Sequence, residues 1–327
     1  MKAVLIKADG SGDLTWGDAP SPTLGARDAL VDVHATAVNR ADLLQRRGFY
    51  PPPPGESDVL GLEAAGVVAA VGSAVTRVRV GDRVCCLLAG GGYAEQVAAH
   101  EAMLLPIPAD LDFAQAAAIP EAFYTAFVNL VLEAGMAEGE RVLIHAGASG
   151  VGTAAIQLAR ARGAIAIVTA GSDDKIARCV ALGATAGINY RRESFAERVG
   201  ALTDGAGVDL ILDCIGGSYL EGNLAALRHK GRLVIIGLMG GTKADINLAP
   251  LVARRLRVIG SVLRTRSLAE KIAISDAFRA EVLPLFANGT LKAVVDSTYP
   301  IAEAAAAHEY VAANRNFGKV VLQVRAG

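Results

Sequence analysis

The run Val142-Leu143-Ile144-His145-Ala146-Gly147-Ala148-Ser149-Gly150-Val151-Gly152-Thr153 has the make-up of a phosphate-binding turn. An apolar strand runs into small residues, then opens a helix whose Val151, Ala155 and Leu158 fall on one face. Gly147 permits a tight turn. Gly150 and Gly152 allow close approach of backbone to ligand and of helix to strand. Free amides at the helix start, at the positive end of its dipole, suit a pyrophosphate. The spacing is G-x-x-G-x-G, not G-x-G-x-x-G, and Ser149 takes the middle place with a hydroxyl able to bond phosphate. A glycine triplet alone also fits a turn that binds nothing. Its place at the first βα turn of an alternating series is what favours a dinucleotide.

The next strand bears on which dinucleotide. An enzyme using NAD usually carries an acid about 20 residues past the turn, bonded to a ribose hydroxyl. Here Val168-Thr169-Ala170-Gly171-Ser172 ends without one. Small residues at Gly171 and Ser172 leave room for a 2′-phosphate, and Ser172 and Lys175 can bond it, so NADPH is favoured over NADH. Asp173 and Asp174 point the other way, unless they are first-turn residues favoured by the helix dipole. Tyr190 either stacks near the adenosine or packs in the core. His145 ends the first strand and reads as a packed histidine rather than a base.

These residues need elements to hold them. From Arg141 onward, apolar strands alternate with helices: strands at 141–146, 164–170, 187–190, 208–215, 233–238 and 257–263, helices at 150–162, 174–182, 194–202 and 219–229. Strands apolar throughout indicate a parallel sheet covered on both faces, a doubly wound α/β fold. The first third is different, with short alternating β-like runs (29–38, 67–71, 84–88) between turns and a stiff Pro51–Pro54 loop. Helices are expected at 114–118, 122–135, 268–286 and 301–313. A last strand at 318–324 alternates like the N-terminal β material, so the tail is expected to return to the first domain.

The 327 residues suffice for two cores. Apolar residues are 52% and charged residues 20%, which excludes a disordered chain. A net charge of −1 leaves no broad footprint for nucleic acid or an anionic membrane. No apolar run approaches the ~18 residues needed to span a bilayer. Cys85, Cys86, Cys179 and Cys214 show no CxxC spacing and sit in apolar surroundings, so they read as reduced thiols of a cytoplasmic protein.

The chain resembles the zeta-crystallin-like quinone oxidoreductases of the zinc-free medium-chain dehydrogenase/reductase superfamily over essentially its whole length. The matching stretches are Ala37–Asp42, Gln45-Arg46, Gly48–Pro51, Gly61–Gly66, Gln115–Glu121, His145–Leu158, Leu212–Gly217 and Gly237–Gly241. Ile119–Ala122 and Ser261–Arg266 are similar to the tumour-suppressor-inducible quinone oxidoreductase branch. The resemblance implies a GroES-like β domain over 1–122 completed by 265–327, and an inserted Rossmann domain over 123–264 that binds NADPH. It also implies hydride transfer to a quinone in the cleft between them, a cytoplasmic location and a homodimer. It places Asn39 and Tyr50 at the nicotinamide and substrate end. It puts Ser149, Ser172, Lys175 and Tyr190 on the cofactor, and Gly237, Met239, Leu263 and Asn316 along the nicotinamide side.

A quinone is already electrophilic, so hydride and a hydrogen bond at the developing oxyanion suffice. Tyr50, on the proline-stiffened loop, is the first candidate for that bond and Asn39 the second. Each also has a bland reading, Tyr50 as an aromatic wall and Asn39 as a loop residue bonded to backbone. Zinc-dependent relatives need Cys, His and Cys ligands. Asn39 stands at the first such position and Leu62 precedes Glu63, so no metal is expected and Glu63 reads as a structural carboxylate. The same scaffold also fits an NADPH-dependent alkenal or enone reductase, or a crystallin-like structural or RNA-binding protein. The apolar stretch after Arg257 leaves a bare sheet edge, which a two-fold copy would cover.

Overall fold

Alternating Val and Ala through Asp28–Val38 put one side chain in two toward a core, and that period makes this segment the central strand of its sheet. The structure, a computed structural model, describes residues 1–7 and 9–325. It opens with an antiparallel hairpin, β1 (Lys2–Ile6) and β2 (Leu14–Asp18). The long strand Asp28–Val38 is β3, and α1 (Arg40–Arg46) follows it directly. β4 (Glu63–Val71), β5 (Arg83–Leu87), β6 (Gln96–His100) and β7 (Leu104–Pro106) complete the antiparallel run. β4 pairs with β3, and β5 with β4 and β7, while β6 adds to the first half of β3.

Two short helices come next, α2 (Phe113–Ala117) and α3 (Pro120–Phe127). Pro120 starts α3, where a missing amide costs nothing. The helix expected over 122–135 becomes α3 plus one wider π-type stretch, Val128–Glu133.

The parallel sheet contains β8 (Arg141–Ile144), β9 (Ile165–Ala170), β10 (Ala186–Asn189), β11 (Val208–Asp213), β12 (Leu227–Ile235) and β13 (Arg257–Gly260). Their spatial order is β10-β9-β8-β11-β12-β13, doubly wound about β8. The covering helices are α4 (Gly150–Ala161), α5 (Asp173–Leu182), α6 (Phe195–Leu202), α7 (Leu220–Ala226) and α8 (Ala249–Ala253). Ser149, Ser172 and Ser194 cap α4, α5 and α6, each accepting an amide from the first turn. Gly183 ends α5 at φ +124°. The helix expected to reach His229 stops at Ala226, because Leu227 already pairs with Val208.

β13 is an outer strand. Ser261 N–H donates to Ile235 O at 3.0 Å. Amides alternate sides along a strand, so Arg257 and Ile259 also turn theirs inward, while Val258 and Gly260 turn theirs to the open edge.

The chain then gives α9 (Leu268–Glu281) and α10 (Leu283–Ala287), one helix by pattern but split beside Pro284. β14 (Val295–Pro300), α11 (Ala304–Ala312) and β15 (Lys319–Gln323) finish it. β15 pairs antiparallel with β3, Val320 opposite Val38, so the tail completes the first sheet. The chain thus forms two compact units, Met1–Tyr124 with Leu263–Gly327, and Thr125–Val262. Val38, Leu43, Leu60, Tyr93, Ala307 and Leu322 share a core in the first. Leu143, Ile167, Ile188, Ile211, Leu224 and Leu233 share one in the second.

Candidate functional site

In the second unit the turn after β8 is built for close approach. Ala146 carries the left-handed backbone at φ +52°, so the tight bend falls there and not on Gly147. Gly147 is needed for another reason: a Cβ on it would lie 2.7 Å from Val168 Cβ of β9. A Cβ on Gly152 would lie 2.4 Å from Ala146 O and 2.6 Å from Gly147 C, so only glycine lets α4 start against the turn. Ser149 Oγ accepts from Gly152 N–H at 3.0 Å, which leaves its own proton to donate outward. The Gly150 and Val151 amides lie in the first helical turn, where no intrahelical acceptor exists. This cradle fits a pyrophosphate.

The end of β9 and the segment after β10 form a second corner. Ser172 Oγ accepts from Lys175 N–H at 3.3 Å, which sets Lys175 in the first turn of α5. A Cβ on Gly171 would lie 2.7 Å from Tyr190 Oη and 3.3 Å from Arg191 Nε. No acid fits at Gly171 while Tyr190 stays in place, and a guanidinium stands where an acid would reach. Among the described residues Arg191 makes no ion pair. Asp173, which argued for NAD, is turned aside: Asn189 Nδ2 donates to it at 2.6 Å and Arg192 pairs with it. Tyr190 is 41% exposed, so it is not core packing. Gly171, Tyr190 and Arg191 therefore meet at one place, with Ser172 and the first turn of α5 next in the chain, and the donors there suit a 2′-phosphate.

The loop Gly237–Gly241 folds back on the end of β11. Met239 N–H donates to Cys214 O at 3.3 Å and Gly240 N–H to Ile215 O at 2.6 Å, leaving Met239 half exposed. His145, just after β8, is buried and bonded on both ring nitrogens, to Thr169 Oγ1 at 3.1 Å and Asn223 Oδ1 at 2.7 Å. Burial holds it neutral, pushed down to about 4. Asn223 in turn donates to Asp213. This is a structural brace, not a base.

Leu263 and Asn316 belong to the first unit, where Leu263 is buried and Asn316 Nδ2 donates to Gly318 O at 2.7 Å. Asn39 is there too, between β3 and α1. Both its amide hydrogens are committed, to Ala37 O at 3.2 Å and Glu63 Oε1 at 2.8 Å, and its Oδ1 accepts from Lys319 Nζ at 2.6 Å. Lys319 also bonds Glu63 Oε1 at 2.7 Å and Val38 O at 3.1 Å, and both partners of that ion pair are buried. Glu63 Oε2 accepts the Glu121 backbone N–H at 2.8 Å. Burial and the Glu63 charge push the Glu121 carboxyl up to about 8. Asp42, fully buried, accepts from Asn39 N–H at 2.7 Å, Gly61 N–H at 3.2 Å and Tyr93 Oη at 3.2 Å; burial still pushes it up to about 6.

Tyr50 is half-buried, and its hydroxyl has no hydrogen-bond partner among the described residues. Arg264 fixes its loop. The guanidinium donates to Tyr50 O at 3.0 Å, Ala89 O at 2.7 Å and Gln45 Oε1 at 2.7 Å, and lies 5.1 Å from the centre of the Tyr50 ring. Arg191, Arg264, Glu121 and Lys319 were not singled out by motif reasoning. Each acts through a partner distant in sequence or on a neighbouring strand, and no spacing rule marks such a pair.

A GroES-like β unit joined to a dinucleotide-binding parallel sheet is the build of a nicotinamide-dependent oxidoreductase. Residues 25–109 match the alcohol dehydrogenase GroES-like domain, and residues 150–286 match the zinc-binding dehydrogenase family. Quinone oxidoreductase of Rattus norvegicus is 31% identical over 98% of this chain and 97% of its own. That of Pseudomonas aeruginosa is 36% identical over 94% of this chain and 95% of its own. The crystal structure of Escherichia coli quinone oxidoreductase complexed with NADPH superposes with a TM-score of 0.88, at 30% identity over 99% of each chain. The chain belongs to the medium-chain dehydrogenase/reductase superfamily, in its quinone oxidoreductase family.

The zinc in the matched family's name does not fit the residues here. Leu62 is apolar and buried, and the oxygens of Asn39 and Glu63 already hold an ammonium. Among the described residues no group of three His, Cys, Asp or Glu side chains could hold a metal.

Proposed function

We propose that this protein is an NADPH-dependent quinone reductase that works without a metal. The near full-length identity to named quinone oxidoreductases carries this reading. The corner of Gly171, Ser172, Lys175, Tyr190 and Arg191 supports the phosphorylated cofactor. When bound, NADPH supplies a hydride from its nicotinamide. The chain's own residues hold the cofactor and the acceptor: Gly147, Ser149, Gly150, Val151 and Gly152 take the pyrophosphate, and Ser172, Lys175 and Arg191 take the 2′-phosphate. Gly237, Met239, Leu263 and Asn316 line the nicotinamide. Tyr50 Oη donates to the substrate oxygen as negative charge develops there, which its unpartnered, half-buried hydroxyl supports. Asn39, whose donors are spent, ties Lys319 and Glu63 together.

In this reading the protein is cytoplasmic and a homodimer joined through β13. No helix among the described residues is long and apolar enough to cross a membrane. The open edge of β13 supports the dimer, with Val258 and Val262 exposed beside it. Steady-state NADPH oxidation against a panel of quinones and a panel of enals tests the substrate class. Turnover of quinones well above enals is the expected result, and the reverse overturns it.

A further inference from the structure

Within the first unit, the turn between β1 and β2, the end of α1 and one face of α11 enclose a cavity of about 520 Å³. Small-molecule pockets run roughly 300–1,000 Å³. The turn is pinned in place over α1. Arg46 Nε donates to Gly12 O, Lys7 N–H donates to Asp13 O at 2.9 Å, and Lys7 Nζ pairs with Asp13 at 3.2 Å. Three cations line the cavity, Lys7, Arg46 and Arg47, against one acid, Glu309. Asp13 answers Lys7, so the uncommitted positive charge is on the two arginines. Among the described residues the terminal nitrogens of Arg46 have no partner, and neither has the exposed Arg47 side chain. The dipole of α1 accounts for a basic residue in its last turn. It does not account for the lysine that another element brings to the same cavity, nor for what His308 shows.

His308 of α11 lines the same cavity, although the residue is only 1% exposed. Its ring is one end of a buried chain. Tyr93 Oη donates to the Asp42 carboxylate at 3.2 Å, so only lone pairs of the phenol oxygen remain for His308 Nε2, which lies 3.1 Å away. Nε2 therefore carries the ring proton and donates it to Tyr93. Burial, with Arg46 nearby, keeps the imidazole neutral, pushed down to about 3. Nδ1 is then a bare acceptor, and it is buried with no hydrogen-bond partner among the described residues. Leaving a buried acceptor unpaired costs free energy, so this place calls for a donor. The cavity thus offers two guanidiniums for an anion and one ring nitrogen for a hydroxyl.

We propose that this cavity is a second ligand site, for a small molecule that carries one oxyanion and at least one hydroxyl, as a sugar phosphate or a hydroxy acid does. The oxyanion is held by Arg46 and Arg47, whose planar forks match phosphate and carboxylate alike. The hydroxyl donates to His308 Nδ1. Glu309 is exposed, repels a second anionic group and accepts a further hydroxyl. The site does not depend on the quinone-reductase reading, since none of these residues is assigned to that cofactor or substrate.

The test is titration calorimetry on the full chain at pH 7 and low salt, with glycerol 3-phosphate, glycerate and sulfate. Each titration is run with and without saturating NADP+, which occupies the phosphate-binding groups of the second unit. Glycerol 3-phosphate or glycerate is expected to bind with a Kd of about 1 mM or tighter, unchanged by NADP+, and the tighter of the two names the head group. Sulfate has no proton to give His308 and is expected to bind more weakly than that ligand. Arg47→Ala removes one charge-assisted contact and should weaken binding by about 10-fold. His308→Gln keeps a donor for Tyr93 but removes the Nδ1 acceptor. It should weaken the hydroxylated ligand by about 5-fold and leave sulfate unchanged. If His308→Gln fails to fold, Arg47→Ala decides alone, because its exposed side chain holds nothing in place. Three results overturn the proposal: both hydroxylated ligands binding more weakly than about 1 mM, binding that NADP+ abolishes, or equal Kd values for wild type and Arg47→Ala.

Discussion

The 2′-phosphate corner makes a quantitative claim about cofactor choice. Arg191 Nε stands 3.3 Å from where a Gly171 Cβ would be, and Lys175 begins α5 behind the Ser172 cap. A 2′-phosphate set at this corner carries roughly −1.5 to −2 charge. Removing one charge-assisted bond costs roughly 1.5–3 kcal/mol. That corresponds to roughly 10- to 150-fold in affinity. Arg191 is exposed, so solvent screens it and Arg191→Ala should fall near the lower end. Lys175 is partly buried, so Lys175→Ala should cost more. Because both act on one phosphate, the double variant should lose less than the sum of the two. Titration of the nicotinamide fluorescence measures Kd for NADPH and NADH in each variant. NADPH should weaken as stated, less so at high salt, while NADH stays nearly unchanged. Equal weakening of both cofactors would refute the 2′-phosphate assignment, and no weakening of either would remove both residues from the site.

Three further outcomes follow from the packing and the charges. Val258→Pro deletes an edge amide of β13, a position where a strand tolerates proline, and should convert a dimer to a folded monomer by light scattering; Ile259→Pro would instead cut a bond to β12 and act on the fold. A wild-type chain that is monomeric at micromolar concentration removes the dimer. Lys319→Met leaves Glu63 buried without its cation and should cost about 3–5 kcal/mol in urea unfolding, with part regained in the Lys319→Met/Glu63→Gln double variant; a loss below ~1 kcal/mol would show that the pair is poorly desolvated. Stability should fall as pH rises from about 6.5 to 8, because folded Glu121 holds a proton that the unfolded chain has released. Between about pH 5 and 6 the retained protons of Asp42 and Glu121 are offset by folded His145 and His308, which stay neutral where the unfolded chain protonates them, so stability should change little there. A urea midpoint that climbs steadily from pH 6 to 8.5 would contradict the carboxyl assignments.

Much of the second unit was legible because its signals are local. β8 and β9 are apolar at nearly every position and β11 through its middle, as strands covered on both faces must be, and Ser172, Ser194 and Gly183 mark helix ends by their own chemistry. Where two signals competed, the boundary moved. Leu227 reads as the end of a helix, but pairing with Val208 makes it strand. Leu268–Phe286 reads as one helix until the ring of Pro284 removes an amide. β2 and the short strands β6 and β7 were not legible, since five or fewer residues without an unbroken apolar run offer too little period to separate strand from loop.

The site divides the same way. The turn at Gly147–Gly152 could be read because a single βα unit makes it, although the left-handed residue proved to be Ala146. Lys319 could not, because its role exists only once β15 lies against β3 and carries its amine to Asn39 and Glu63. Nothing near Lys319 in the sequence announces an ion pair with a residue in β4. Yet that pairing decides the chemistry of the region. With an ammonium between Asn39 and Glu63, the positive charge is a fixed protein group with no free coordination position, so it cannot polarise a substrate directly. In the proposed reaction the task passes to a hydrogen-bond donor, the Tyr50 hydroxyl. Arg264 holds the Tyr50 loop through the Tyr50 carbonyl. A substrate already electrophilic needs no more than that, which is why the donor set and a quinone suit one another.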